Sequence, residues 1–102
     1  MHNYLQLSLY IDNNQKDDII DCLLPLEYIS GFSLSACFGY SRNHAKLDIA
    51  EQVAGGRELL RVDIVHDSEH TDSILMVLKK VNARYPIRFT VTPVVQHGVI
   101  EQ

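Results

Sequence analysis

The sequence predicts an α+β sandwich with the element order strand, helix, strand, strand, helix, strand, and three observations carry that prediction. Four runs alternate apolar and polar residues with the period of two that a half-buried strand imposes. Two runs repeat apolar residues at three and four positions, the period of a helix, and each of these ends at a proline, Pro25 or Pro86. At 102 residues, 46% hydrophobic and 22% charged, the chain suits one domain, 1–102, with a modest core of the kind often reinforced by assembly.

Over 4–12, Leu5, Leu7, Leu9 and Ile11 point one way and Tyr4, Gln6, Ser8 and Tyr10 the other. Asp12, Asn13 and Asn14 offer turn and capping side chains to a helix over 16–24, in which Ile19, Ile20, Leu23 and Leu24 fall at helical spacing. Asp17 and Asp18 suit the positive end of its dipole, so capping explains them better than catalysis. Ser30 and Gly31 break the chain before a second strand over 32–40, with Phe32, Leu34, Ala36, Phe38 and Tyr40 on one face. A third strand over 58–66 sets Leu60, Val62 and Ile64 against Leu59, Arg61, Asp63 and Val65. Asp67 and Ser68 then supply cap oxygens to a second helix with Ile74, Val77, Leu78, Val81 and Tyr85 on one stripe. The fourth strand, 87–95, turns Ile87, Phe89 and Val91 inward, and Pro93 places it at an edge or at a change of partner.

This order is a split βαβ unit repeated, so the economical architecture is a ferredoxin-like βαββαβ sandwich. Right-handed crossovers put both helices on one sheet face, expected to bury Leu5, Leu7, Leu9, Leu34, Val62, Ile64, Phe89 and Val91. The other face collects Gln6, Ser8, Ser33, Ser35, Arg61, Asp63, Arg88 and Thr90, a mixture compatible with water or with other subunits.

Between the second and third strands lies 41–57, SRNHAKLDIAEQVAGGR. Connections in compact domains typically run about 4 to 6 residues, and those beyond about 12 to 15 are usually functional or disordered. Its first part, Ser41 to Lys46, is polar and basic and is the expected contact-making tip; Leu47 to Gly56 has apolar residues at helical spacing and is expected to pack on the body or on a neighbouring subunit.

Several function classes are disfavoured. The net charge of −4 argues against a general nucleic-acid binder, although Arg42, His44 and Lys46 form a local basic cluster. No run approaches the roughly 20 apolar residues of a membrane span, and the N-terminus enters a strand pattern instead of a signal peptide, so a cytoplasmic location is expected. Cys22 and Cys37 have no CxxC spacing and are expected as small core or near-core residues. No nucleophile constellation is present and no arginine-bearing glycine loop of the acylphosphatase type, so the chain is not expected to be an enzyme. Five histidines, His2, His44, His66, His70 and His97, raise a metal question. Each alone is expected to be hydrogen-bonded or solvated; the sharper expectation is a divalent transition-metal site made by His44, Glu51 and His97 across a subunit boundary.

The segments SGFSLSACFGYS, LDIAEQVAGGRELLRVDIV and VTPVVQHGVIE together resemble a small family of uncharacterised bacterial PII-like proteins, whose genes tend to lie beside heavy-metal efflux systems. The resemblance implies a homotrimer with ligand clefts between subunits, and it makes 41–57 the counterpart of the T-loop, which reports ligand occupancy to a partner such as a membrane transporter. It also implies regulation in place of catalysis. After the third strand this chain reads HDSEHTDS, without the glycine-rich loop that cradles ATP in well-studied relatives, which speaks against nucleotide binding. On this reading Arg42, Lys46 and Arg57 are the ligand-binding residues, with phosphate as one candidate group and surface solvation as their alternative. Ser41, Arg42, Asn43, His44 and Lys46 meet the partner. The alternative function is a metal-binding or metal-buffering protein that acts without a docking partner.

Overall fold

The computed structural model describes residues 3–40, 56–81 and 86–101. Its strands are β1 (Tyr4–Ile11), β2 (Ser33–Gly39), β3 (Arg57–Asp67) and β4 (Arg88–Val94), and its helices are α1 (Lys16–Leu23) and α2 (Thr71–Leu78). They form one antiparallel four-stranded sheet of order β2-β3-β1-β4, compatible with the ferredoxin-like fold. β1 therefore lies inside the sheet, flanked by β3 and β4, while β2 and β4 are the edges. The edge position expected from Pro93 is observed, opposite Leu5 of β1. No helix among the described residues is long and apolar enough to cross a membrane.

Alternation places the core on one sheet face. Leu7 pairs with Ile64 and Val91, and Leu9 with Val62 and Phe89, so apolar rows run across β3, β1 and β4. Leu7, Leu9, Ile11, Val62 and Ile64 are covered by Ile19 and Leu23 of α1 and by Ile74 and Leu78 of α2. Each such side chain, fully buried, contributes roughly 1.5–3 kcal/mol.

Two inward expectations fail at the rims. Phe89 is 50% exposed and Val91 37%, although both were expected beneath the helices. β4 is an edge strand, so with α2 seated over the central strands Phe89 becomes one wall of an open groove of about 520 Å³, with Leu75, Met76 and Ile87 among the other lining residues. At the opposite edge, Phe38 and Tyr40 are likewise exposed and Leu34 is only partly buried, and Leu5, near the start of the inner strand β1, is also only partly buried. Leu24, expected on the apolar stripe of the first helix, lies just past the end of α1 and is exposed. Tyr85 falls outside the described residues.

Both helices are entered through a 3-10 turn. Asn13–Gln15 precedes α1, where the Asp12 N–H donates to Gln15 Oε1 at 2.9 Å. Ser68–His70 precedes α2, where the Glu69 N–H donates to the Asp67 carboxylate at 3.2 Å, as the cap residues predicted. His66, buried at the end of β3, joins that strand to α2. Its Nδ1 lies 3.1 Å from the Ile64 carbonyl, and its Nε2 lies 2.7 Å from the Thr71 hydroxyl, which itself donates to the Ser68 carbonyl at 3.2 Å. His66 is thus a hydrogen-bonded structural residue, and His70 stacks on Tyr28 instead of facing it.

Chemical denaturation should separate core from rim. Leu9→Ala or Ile64→Ala is expected to cost about 2–5 kcal/mol, and Phe89→Ala about 1 kcal/mol, since half of its surface is already wet. Equal losses at the three positions would contradict the placement of the core.

Candidate functional site

The long connection leaves β2 after Gly39 and returns at Arg57, the last residues of the two strands to pair. Two contacts close its root. The Tyr40 ring lies against Gly56, where a Cβ would meet ring atoms at 2.8 Å, so only glycine admits this approach without moving the ring. The Arg57 guanidinium pairs with the carboxylate of Asp12, the residue that follows β1, and the two side chains are only 8% and 17% exposed. Arg57 is thus not a solvated surface arginine: it is held inside the root of the connection.

Beside this pair is a small cavity of about 30 Å³, lined by Tyr10, Asp12, Gln15, Arg57, Pro86 and Arg88, among others. Gln15 is 4% exposed. Its Oε1 is engaged by the Asp12 N–H, whereas its Nε2 is buried without a hydrogen-bond partner among the described residues. Strand register brings further charge to the same end of the sheet, because Tyr10 stands between Arg61 of β3 and Arg88 of β4. Among the described residues, Arg57 pairs with Asp12 and Arg61 with Asp63, and register sets Arg61 and Arg88 on either side of Tyr10, in a chain whose net charge is −4. Arg61 Nε donates to Asp63 Oδ1 at 2.9 Å, and this hydrogen bond, followed by the charge of Asp63, raises the Arg61 pKa above its ordinary value. The Ser8 hydroxyl donates to the same oxygen at 2.6 Å.

Of the residues expected to act, Arg57 is placed at this root, and His97 lies elsewhere. Its ring is 5.2 Å from that of Tyr4, which begins β1, whereas Asp12 follows the end of β1, so His97 and Arg57 sit at opposite ends of the sheet. Ser41, Arg42, Asn43, His44, Lys46 and Glu51 lie outside the described residues. Among the described residues, no three of His, Cys, Asp and Glu are grouped as a metal ion would require. Tyr10, Asp12, Gln15 and Arg88 were not singled out as site residues from the sequence. The one available signal was that Asp12 and Arg57 each stand at the boundary of a strand, a place where chain ends meet across a sheet.

The polar face makes its own prediction. Asp63→Ala leaves the buried Ser8 hydroxyl without its acceptor and should cost about 1–3 kcal/mol in urea denaturation. Arg61→Ala removes only a partly exposed pair and should cost less than about 1 kcal/mol. Equal losses would mean that Ser8 is satisfied by another group.

Three comparisons place the chain among known proteins. Residues 1–101 match a family described as "Protein of unknown function (DUF3240)". The crystal structure of a DUF3240 family protein from Shewanella baltica OS155 is 33% identical and superposes with a TM-score of 0.81, covering 99% of this chain and 100% of that one. A Bacillus cereus protein related to NIF3 shares the fold alone, at 9% identity and a TM-score of 0.70 over 93% of this chain and 26% of its own. No curated protein matches. The chain belongs to the DUF3240 family.

Proposed function

We propose that this protein is a PII-like regulator: a cytoplasmic homotrimer that senses a small ligand or a metal and controls a partner through the 41–57 connection. The observation that carries the reading is the clamped root. β2 and β3 are neighbouring strands of a βαββαβ sheet, and at their shared end Arg57 is pinned to Asp12 while Tyr40 covers Gly56. A long connection mounted on such a base is positioned by a rigid scaffold, the usual arrangement for contact-making loops. Ligand occupancy near Arg57, with Arg42 and Lys46 as further ligand residues, then alters what Ser41, Arg42, Asn43, His44 and Lys46 present to the partner. The sequence resemblance to PII-like proteins supports the T-loop role and makes a heavy-metal efflux transporter the first partner to test. The edge strands β2 and β4, unpaired on their outer sides among the described residues, support assembly, since such an edge is a template for pairing with another subunit.

Native mass measurement at micromolar concentration should give a trimer, and a strictly monomeric species would count heavily against the reading. Affinity capture from the source cell should recover a partner with the intact chain and lose it when residues 43–52 are deleted, with the trimer retained. Capture that survives the deletion would remove the docking role from this connection.

A further inference from the structure

We infer that residues 97–101 of one copy lie in the apolar groove between α2 and β4 of a second copy, with Val99 and Ile100 against its walls and Glu101 beside its Lys79. The tail and the groove each expose what the other would cover. Beyond β4 the chain carries Val99 at 83% exposure and Ile100 at 95%, outside the core that the helices close over the sheet. The groove holds about 520 Å³ and is lined by Leu75, Met76, Val81, Ile87 and Phe89, among others. Met76 and Phe89 are 62% and 50% exposed there. Clefts that bury a ligand typically hold about 300–1,000 Å³, so two branched aliphatic side chains fit.

Charge complementarity selects this occupant and sets its direction. In the tail the two aliphatic residues stand between His97 and Glu101; along the groove Leu75 and Met76 stand between Asp72 and Lys79. From Asp72 to Lys79 the helix rises about 10.5 Å, and an extended chain covers about 13 Å from His97 to Glu101. A tail running in the direction of α2 therefore brings an imidazole to the Asp72 carboxylate and the Glu101 carboxylate to the Lys79 ammonium. Asp72, Lys79 and Glu101 have no ionic partner among the described residues. The tail of the same copy does not reach the Phe89 wall while His97 rests on Tyr4, with ring centroids 5.2 Å apart. Register sets Tyr4 opposite Val94 and Leu9 opposite Phe89. Those rows are about 17 Å apart, whereas residues 98–100 span roughly 10 Å. Tail and groove are different patches, so the contact is of the heterologous kind that generates rings. It deepens the assembly part of the regulatory reading and rests on that reading only for the number of copies.

The test is photo-cross-linking of the full chain with a benzophenone amino acid in place of Ile100, after isotopically light and heavy copies are refolded together. Links that join a light to a heavy copy, with the tail attached within 72–81 or 87–89, are expected. Links confined to one copy, or attached elsewhere, would overturn the site. Sedimentation supplies the second measurement. Val99→Ser combined with Ile100→Ser alters exposed positions alone, so the fold is retained, and it should weaken self-association by about tenfold or more. Glu101→Lys should weaken it too, and Lys79→Glu in the same chain should restore it; no restoration would overturn the pairing of these two residues. A trimer that forms equally well with both tail substitutions would overturn the tail contact and leave the trimer standing. A tail-dependent assembly of another order would uphold the contact and count against the trimer alone.

Discussion

The buried pairing of Arg57 with Asp12 is the contact on which the root of the long connection depends. Asp12 follows the inner strand β1 and leads into the turn before α1; Arg57 opens β3 at the point where the long connection rejoins the sheet. One ion pair therefore fixes the end of the central strand, the approach to the first helix and the return of the connection. Taking both groups out of water is costly, and leaving either one buried alone costs about 3–5 kcal/mol, so the pair acts as a constraint on position more than as a net source of stability. Gln15 extends the constraint by holding the Asp12 backbone through Oε1, and its side chain lines the small cavity beside the pair.

The two faces of the sheet differ in chemistry. On the helix side, Leu7, Leu9, Ile11, Val62 and Ile64 join Ile19, Leu23, Ile74 and Leu78 in a single apolar core. On the other, Ser8, Asp63 and Arg61 form a bonded polar row, and Tyr10 stands between two arginines. Among the described residues β2 and β4 are the edge strands, with Phe38 and Tyr40 exposed at one rim and Phe89 at the other. A core of this size is that of one small domain.

Much of the fold was legible because each element carries its own period. The strand of Leu5, Leu7, Leu9 and Ile11 ends one residue earlier than expected, and Arg57 and Asp67 extend β3 by one residue at each end. The burial of Phe89 and Val91 was misjudged because alternation tells which face a residue occupies but not whether a helix covers that part of the face. The site was legible only in part. Arg57 drew attention by ending an unusual connection, yet its partner stands 45 positions earlier, and Tyr10, Arg61 and Arg88 become neighbours through strand register alone. Local pattern contains no record of such pairings. The residues of the connection itself, among them His44 and Glu51, lie outside what the structure describes.

The most direct test of the clamp is a double-mutant cycle on Asp12→Asn and Arg57→Met, read by urea denaturation with amide hydrogen exchange at the start of β3. The clamp predicts a coupling energy above about 1.5 kcal/mol between the two positions, and faster exchange at residues 58–60 in either single variant than in β3 beyond Val62. Losses that add to within about 0.5 kcal/mol, with exchange at 58–60 unchanged, would contradict it.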